Sequence, residues 1–334
     1  MDCCYTEDSN SKPRVTIAVA LYNSGKYVKT FIENISKQTF SDYELLFVVD
    51  HKTTDDTVDV IEQNKEAIKG SHRIIMQDDE EGLGGARNIG IDHSSGEIIW
   101  FVDVDDYQYP SFLEEMIDIM DENDADIVFC NHYQELKKVV PTIPDVDFGV
   151  KKFSMAEVLE NFSDFPVYSW SRIQKKRIFE SGNAFFKPYK TMEDLEQTIM
   201  SIMECSVVCY YEKPLCVYYK TPNTASKRNR CYDASVVEQT ARSVLPKVAE
   251  KSPGSLEQFR RRMLEYLMRQ MAFVDYRTFK QAYRDTIAHE MIENEPRRTK
   301  EMKIFEFSGT LYYCLIFIYT HHIWDNYRGM WKKV

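Results

Sequence analysis

Runs of consecutive apolar residues alternate with amphipathic stretches along the first 130 positions. VTIAVALYN (15–23) is rich in β-branched residues and closes on the turn former NSG. GKYVKTFIENISKQ then spaces Val28, Phe31, Ile32 and Ile35 onto one helical face. ELLFVVD (44–50) is a second apolar run, followed by the polar cluster HKTTDDT, which suits the start of a helix over DDTVDVIEQNKEAI. RIIM (73–76), the Gly-rich turn and helix GLGGARNIGIDHSSG, EIIWFVD (97–103), the helix PSFLEEMIDIMDEN with Pro110 near its first turn, and DIVFC continue the series. This order predicts parallel strands with crossover helices, an α/β class with a Rossmann-like three-layer α/β/α sheet. The strands are uniformly apolar, as burial on both faces requires.

In such sheets ligands bind beyond the carboxyl ends of the strands. Three polar clusters fall there: Tyr22-Asn23, Asp50-His51, and Asp103 to Asp106. Residues 131–230 are less regular, with SMAEVLENF and EDLEQTIMSIMEC helical and SVVCYY and PLCVYY strand-like. From 231 the pattern turns helical. The expected organisation is a flexible N-terminus over 1–13, an α/β domain over 14–230 in two halves (14–130 and 131–230), and a helical C-terminal extension over 231–334.

Composition narrows the chemistry. The 334 residues are 43% hydrophobic and carry a net charge of −11, which disfavours generic nucleic-acid binding. Eight cysteines form no CxxC pair, and the polar N-terminal stretch lacks an apolar core, so a reducing cytoplasmic location is expected. The stretch from Arg297 onward carries seven Lys/Arg against three acids. Its apolar core, Leu311 to Tyr319, is about half the ~20 residues that a spanning helix needs. Aromatics flanked by basic residues over 305–331 suit peripheral contact with the inner face of a membrane; packing on the protein's own core or across a homodimer suits them equally.

Three carboxylates within four positions, Asp103, Asp105 and Asp106, repel one another at a strand end. A hard divalent cation would cancel that repulsion and could bridge a diphosphate, while a solvated Asx-turn before Pro110 is the plainer reading. GLGGARNIG is superficially a dinucleotide fingerprint, but it follows the third strand and not the first, so Gly84-Gly85 reads instead as a site of tight turning or close backbone approach. TMEDLEQ reads locally as a helix start with Thr191 a candidate cap and acids in the first turn.

Taken in order, the motifs resemble inverting glycosyltransferases of family 2, which have the GT-A fold. VTIAVALYNSGKYV is similar to that family's opening strand and Tyr-Asn turn. QTFSDYELLFVVDHKTTDDT is similar to QTFxDxEIIxVDDGSTDxT, and GLGGARNIGIDHSSGEIIWFVDVDD to GxxxARNxGIxxAxGxYIxFxDxDD. SWSRIQKKRIFESGNAFFKPYKTMEDLEQTIM resembles its W-[NS]-K-L-Y…F…EDxxF region, and KPLCVYY its PLYxYR strand. The resemblance implies transfer of a sugar, with inversion, from a nucleotide-diphospho-sugar to a saccharide or polyprenyl-linked acceptor in cell-surface polysaccharide synthesis. It implies Mn²⁺ or Mg²⁺ held by Asp105 with Asp103. Tyr22, Asp50, His51, Arg87, Asn88, Asp103 and Asp106 would contact the nucleotide sugar. Asp194 would take the acceptor's proton, with Glu193 orienting a substrate.

The chain departs from the family pattern at His51, where an Asp is usual. A UDP-sugar remains the first expectation, with thymidine and guanosine donors open. Lys227, Arg228 and Arg230 are candidate diphosphate contacts, balanced against a solvated basic loop. A sugar-nucleotide nucleotidyltransferase and a catalytically silent partner subunit are the rival readings.

Overall fold

The computed structural model of the chain describes residues 12–78, 81–162, 165–220, 234–272, 276–285, 288–293 and 299–315. It divides into two compact units, residues 1–158 with 166–224, and residues 159–165 with 225–334. Lys227, Arg228, Arg230, the first eleven residues and positions 316–334 lie outside the described residues.

The first unit is built on one nine-stranded sheet in the order β3-β2-β1-β4-β8-β6-β9-β5, with β7 paired to β9. The strands β1 (Val15–Leu21), β2 (Tyr43–Asp50), β3 (Ser71–Gln77) and β4 (Ile98–Val102) run parallel. They are joined by α1 (Gly25–Ile35), α2 (Thr57–Asn64) and α3 (Gly82–Asp92). The alternation in the sequence is therefore realised as expected, and β1, β2 and β4 are buried almost throughout. Val28, Phe31, Ile32 and Ile35 all enter the core, the face that the spacing predicts. After β4 come β5 (Tyr107–Gln108), α4 (Phe112–Asn123) and β6 (Ile127–Glu135). Trp100 of β4 stacks on Phe112 at 4.0 Å and donates its indole N–H to the Trp170 carbonyl at 3.1 Å, joining two layers.

Beyond β6 the structure corrects the sequence reading. β7 (Val150–Ser154), α5 (Met155–Glu160), β8 (Arg172–Lys175), α6 (Glu193–Met203) and β9 (Val207–Tyr219) follow. β8 inserts between β4 and β6 and is antiparallel to both. SVVCYY and PLCVYY, expected as two strands, are one thirteen-residue strand. It stays continuous across Glu212-Lys213-Pro214 because Glu212 N–H bonds to Gly149 O at 3.0 Å and Lys213 pairs with Glu115 at 2.7 Å. Its partner β6 absorbs the mismatch by register shifts at Asn131.

The second unit is helical: α7 (Ala234–Lys251), α8 (Leu256–Ala272), α9 (Tyr276–Asp285), α10 (Ala288–Glu293) and α11 (Lys300–Phe307). Phe162 meets Phe259 edge-on at 5.7 Å in its core. In the aromatic tail, Phe305 and Tyr312 are buried against each other while Phe307, Leu311 and Leu315 are exposed. Among the described residues no helix is long and apolar enough to cross a membrane.

Candidate active site

At the end of β1 the chain turns through Asn23, whose φ of 47° is a conformation that Asn tolerates better than most residues. Its Oδ1 accepts from the Thr54 and Asp55 amides at 2.8 and 3.3 Å. Asp55 in turn accepts from the Gly25 amide at 3.0 Å and from the Thr57 amide at 3.1 Å. Burial pushes the Asp55 carboxyl upward, but the Thr57 hydroxyl and these two amides outweigh it and hold the group below its ordinary range. The loops after β1 and β2 are thus stitched together. Sequence reading placed neither Asn23 nor Asp55 in the site, although both sit in the polar clusters that it flagged. Tyr22 stands 56% exposed above this seam. Asp50 accepts from the Lys52 amide at 2.8 Å. His51 turns Nδ1 toward the Gln77 carbonyl at 3.1 Å, so in the neutral ring Nδ1 carries the proton and Nε2 is an acceptor.

α3 carries the next part. Gly84 lies so close to the segment after β8 that a Cβ there would meet Lys187 O at 2.7 Å, the close approach expected of the Gly-rich turn. One turn on, Asn88 spends both ends of its amide on Phe186, donating to its carbonyl and accepting from its N–H, each at 2.9 Å. Asn88 therefore fastens the segment leading into α6. That segment ends at Met192, whose φ of 61° turns the chain into α6. The helix has no side-chain cap, so the capping role expected of Thr191 is not realised; the left-handed Met192 occupies the cap position itself.

The turn delivers Glu193 and Asp194 to Arg87. This arginine, only 4% exposed, is no surface residue. Its Nη1 lies 2.7 Å from both Glu193 Oε1 and Asp194 Oδ1, and its Nη2 lies 3.0 Å from Asp103 Oδ1. The planar fork of a guanidinium suits this sharing. Arg87 is itself lodged against the Phe186 ring at 5.3 Å. Burial lowers the arginine's pKa, but the three carboxylates reverse that and raise it above its ordinary value.

The acids respond differently to burial. Asp103 is pushed up to about 6 by desolvation, with Arg87 pulling the other way and Asp105 and Asp194 adding repulsion. Glu193 is raised to about 7 by desolvation and the neighbouring Asp194, against the pull of Arg87. Asp105 is raised by burial, with its own backbone amide and the charges of Lys138 and Lys26 pulling the other way. Asp106 is turned into the fold: Oδ1 accepts from the Tyr219 amide at 3.0 Å, while Oδ2 is buried without a partner. Burial raises its pKa well above the ordinary range, with Asp103 and Asp105 contributing.

A divalent cation can be tested against these residues. The donors are hard carboxylate oxygens, raised by burial and mutual repulsion as a cation would relieve, and Asp106 leaves an orphaned oxygen beside them. Among the described residues no three metal-ligating groups form a compact cluster. The set fits an ion that is held by one or two carboxylates and brings phosphate oxygens and water, not one enclosed by protein.

Below the acids lies Arg172 on β8, which the sequence reading did not single out, although it occupies the Lys position of the W-[NS]-K-L motif. It is fully buried and bonds Thr198 at 2.6 Å, Gln197 and Gln174. No carboxylate bonds to it among the described residues, and burial lowers its pKa to about 10. It braces α6 one turn beyond Asp194.

Comparison with known proteins adds lineage to this geometry. The family model described as Glycosyl transferase family 2 matches residues 16–182. The uncharacterised glycosyltransferase EpsJ of Bacillus subtilis is 28% identical over 222 residues, covering 64% of this chain and 63% of that protein. The poly(ribitol-phosphate) β-N-acetylglucosaminyltransferase TarP of Staphylococcus aureus is 26% identical over 194 residues, covering 57% of this chain and 58% of its own length. The matches thus span about three fifths of these relatives. The crystal structure of S. aureus TarS 1–349 in complex with UDP-GlcNAc superposes with a TM-score of 0.69 at 16% identity, covering 92% of both chains. The mannosyltransferase PcManGT from Pyrobaculum calidifontis, in complex with GDP-Man and Mn²⁺, gives 0.56 at 15% identity, over 95% of this chain and 88% of that one. At such identities the likeness establishes a shared fold, here GT-A.

Proposed function

The chain belongs to glycosyl transferase family 2, and from that premise we propose that it moves a sugar, with inversion, from a nucleotide-diphospho-sugar to a saccharide acceptor. The observation that carries this reading is Arg87, which ties the strand end bearing Asp103 to the helix start bearing Glu193 and Asp194. A leaving-group site and a proton acceptor are thereby held at one sheet edge, as an in-line displacement requires.

Asp194 takes the proton of the acceptor hydroxyl as that oxygen attacks the anomeric carbon from the face opposite the departing nucleotide. The Arg87 guanidinium, 2.7 Å away, fixes its direction. Glu193, raised to about 7, keeps its proton over much of the acidic to neutral range and offers a donor O–H to the substrate. Tyr22, Asp50 and His51 flank the nucleobase, with UDP-sugars the first donor class; TarS bound to UDP-GlcNAc supports that choice. Asp105 and Asp103 would hold Mn²⁺ or Mg²⁺, as PcManGT with GDP-Man and Mn²⁺ suggests for this fold. Such an ion, when bound, supplies positive charge to the departing diphosphate.

The test is to incubate the full chain with UDP-GlcNAc, UDP-glucose, UDP-galactose and GDP-mannose, with Mn²⁺ or with EDTA, and to follow nucleoside diphosphate release. Metal-dependent release from one donor is expected. Pyrophosphate release from a nucleoside triphosphate and a sugar phosphate would instead mark a nucleotidyltransferase, and binding without turnover a silent subunit.

A further inference from the structure

The segment before β8 carries an aromatic cluster. Because β8 runs antiparallel to β4 with Ile173 opposite Trp100, the residues preceding Arg172 emerge at the sheet edge where β4 ends and Asp103 begins. There Tyr168 stacks on Trp170 with centroids 5.2 Å apart and planes 13° from parallel, and Trp170 stacks in turn on Tyr218 at 5.8 Å and 14°. His132 closes the cluster edge-on to both Trp170, at 4.9 Å, and Tyr168, at 5.7 Å. Trp170 is buried, yet Tyr168, with one face against it, stays 42% exposed. A large ring held flat by a stack of two more beneath it, and still open to solvent, is a preformed apolar surface.

Its position relative to the acids is fixed. The Val167 carbonyl accepts from Thr198 Oγ1 at 2.9 Å, and the same hydroxyl accepts from Arg172 Nη1 at 2.6 Å. Thr198 lies four residues after Asp194 on α6, on the same helix face and about 6 Å along the axis. The backbone beside Tyr168 is therefore anchored one helical turn from Asp194. His132 itself is uncharged, since burial and the neighbouring Lys220 lower its imidazole to about 4.

We infer that Tyr168 is the acceptor platform, on which the apolar face of a terminal pyranose ring lies while one of its hydroxyls faces Asp194. This rests on the proposed transfer reaction and adds the acceptor class. A polyol-phosphate chain, the acceptor in the printed name of TarP, has no ring face to stack. The chain then differs from that relative in what it glycosylates.

The experiment is saturation-transfer NMR on the full chain, with UDP and Mn²⁺ present, against methyl β-glucoside, methyl β-galactoside, methyl β-N-acetylglucosaminide and D-ribitol 5-phosphate. At least one pyranoside should bind through its ring protons. Tyr168→Ala should weaken that binding by about tenfold or more, and Tyr168→Phe, which keeps the ring, should restore it. Circular dichroism of both variants checks that they fold. Binding of ribitol phosphate in preference to every pyranoside, pyranoside binding indifferent to Tyr168→Ala, or no pyranoside binding at all would overturn the inference. Calorimetry with UDP-GlcNAc reads the functional proposal separately, because a chain that stacks pyranosides on Tyr168 but binds no nucleotide sugar fails only that proposal.

Discussion

Arg87 and Asp194, 107 positions apart in the chain, meet at 2.7 Å in the interior of the first unit. The same guanidinium holds Glu193 and Asp103, so one cation organises two acidic clusters that arrive on different elements. The crowded acids after β4 are thus tolerated in part by a fixed internal counter-charge, and a bound cation need supply only the remainder. Arg87 is accordingly a positioning residue whose chief partners are carboxylates of the protein itself.

Replacing Arg87 with Met should leave the acids at this site, with Glu193 only part-ionised at pH 7, without their counter-charge. Breaking a buried pair in this way costs about 3–5 kcal/mol. Urea denaturation at pH 7 should show a loss of that order. Much of it should be recovered near pH 5, where Asp103 (about 6) and Glu193 (about 7) are protonated. Arg87→Lys should recover stability better than transfer, because one ammonium cannot bridge three acids in a fixed plane. Equal stability of Arg87→Met and wild type at both pH values would contradict the bridging role.

Asp194→Asn keeps the volume and the contact with Arg87 but cannot take a proton. Transfer should fall by about 10²–10⁴-fold. Donor affinity by calorimetry should stay within a few-fold of wild type, since the residues proposed to face the nucleotide come from the ends of β1, β2 and β4. Wild-type-like turnover would remove Asp194 from the base role.

The strand ends and their acids were legible because each is local: an apolar run, then polar residues, within ten positions. The α3 motif was legible in type, but its use was not. Asn88 looks like a ligand-facing amide, and only the fold reveals that Phe186 occupies both of its ends. β8 escaped detection because its inward residues include Arg172 and Gln174, which break an apolar pattern; Arg172 finds its partners on α6 and in Gln174 Oε1. β9 was divided in two because Glu212-Lys213-Pro214 reads as a turn, whereas the partners that keep it extended come from Gly149 and Glu115. Long-range satisfaction of polar groups is what a single sequence hides.

Asp105→Asn should separate stability from function. Its carboxylate is raised by burial and adds to the repulsion felt by Asp103 and Asp106. Removing the charge should raise the melting temperature of the metal-free protein slightly. It should also abolish the stabilisation that Mn²⁺ and UDP together provide, since ligand linkage requires an intact site. A variant that keeps the Mn²⁺-dependent shift in a thermal melt would show the ion to be held elsewhere.

Glu193 should impose a pH dependence on stability whose sign follows from its raised pKa. Its ordinary value is 4.5 and the folded value is about 7. Between these the native state still holds a proton that the unfolded chain has released. The contribution is therefore complete below about pH 4.5 and lost as pH rises through 7. Glu193→Gln removes that slope. The difference in unfolding free energy between variant and wild type should drift in the variant's favour across this window, by at most on the order of 3 kcal/mol. Measurements without metal or donor, at several pH values, check the sign; a difference that drifts the other way would refute the buried, proton-retaining Glu193.

Two glycines of α3 distinguish support of the fold from support of the site. At Gly90 a Cβ would come within 2.9 Å of the Ala18 Cβ, against β1 and away from the acids. At Gly84 it would meet Lys187 O at 2.7 Å and Phe186 Cβ at 3.3 Å, in the segment that Asn88 pins and that leads through Met192 into Glu193 and Asp194. Overpacking of either kind costs about 1–3 kcal/mol. Gly90→Ala should spend that cost on stability alone, with kcat close to wild type. Gly84→Ala should in addition shift the start of α6 relative to Arg87. A misplacement of about 1 Å at a reacting group can cost roughly 10²-fold in rate. Parallel urea melts and transfer assays on the two variants read the contrast. Equal retention of kcat would mean that the segment over 186–192 moves without carrying Asp194, and that Arg87 alone sets the position of the base.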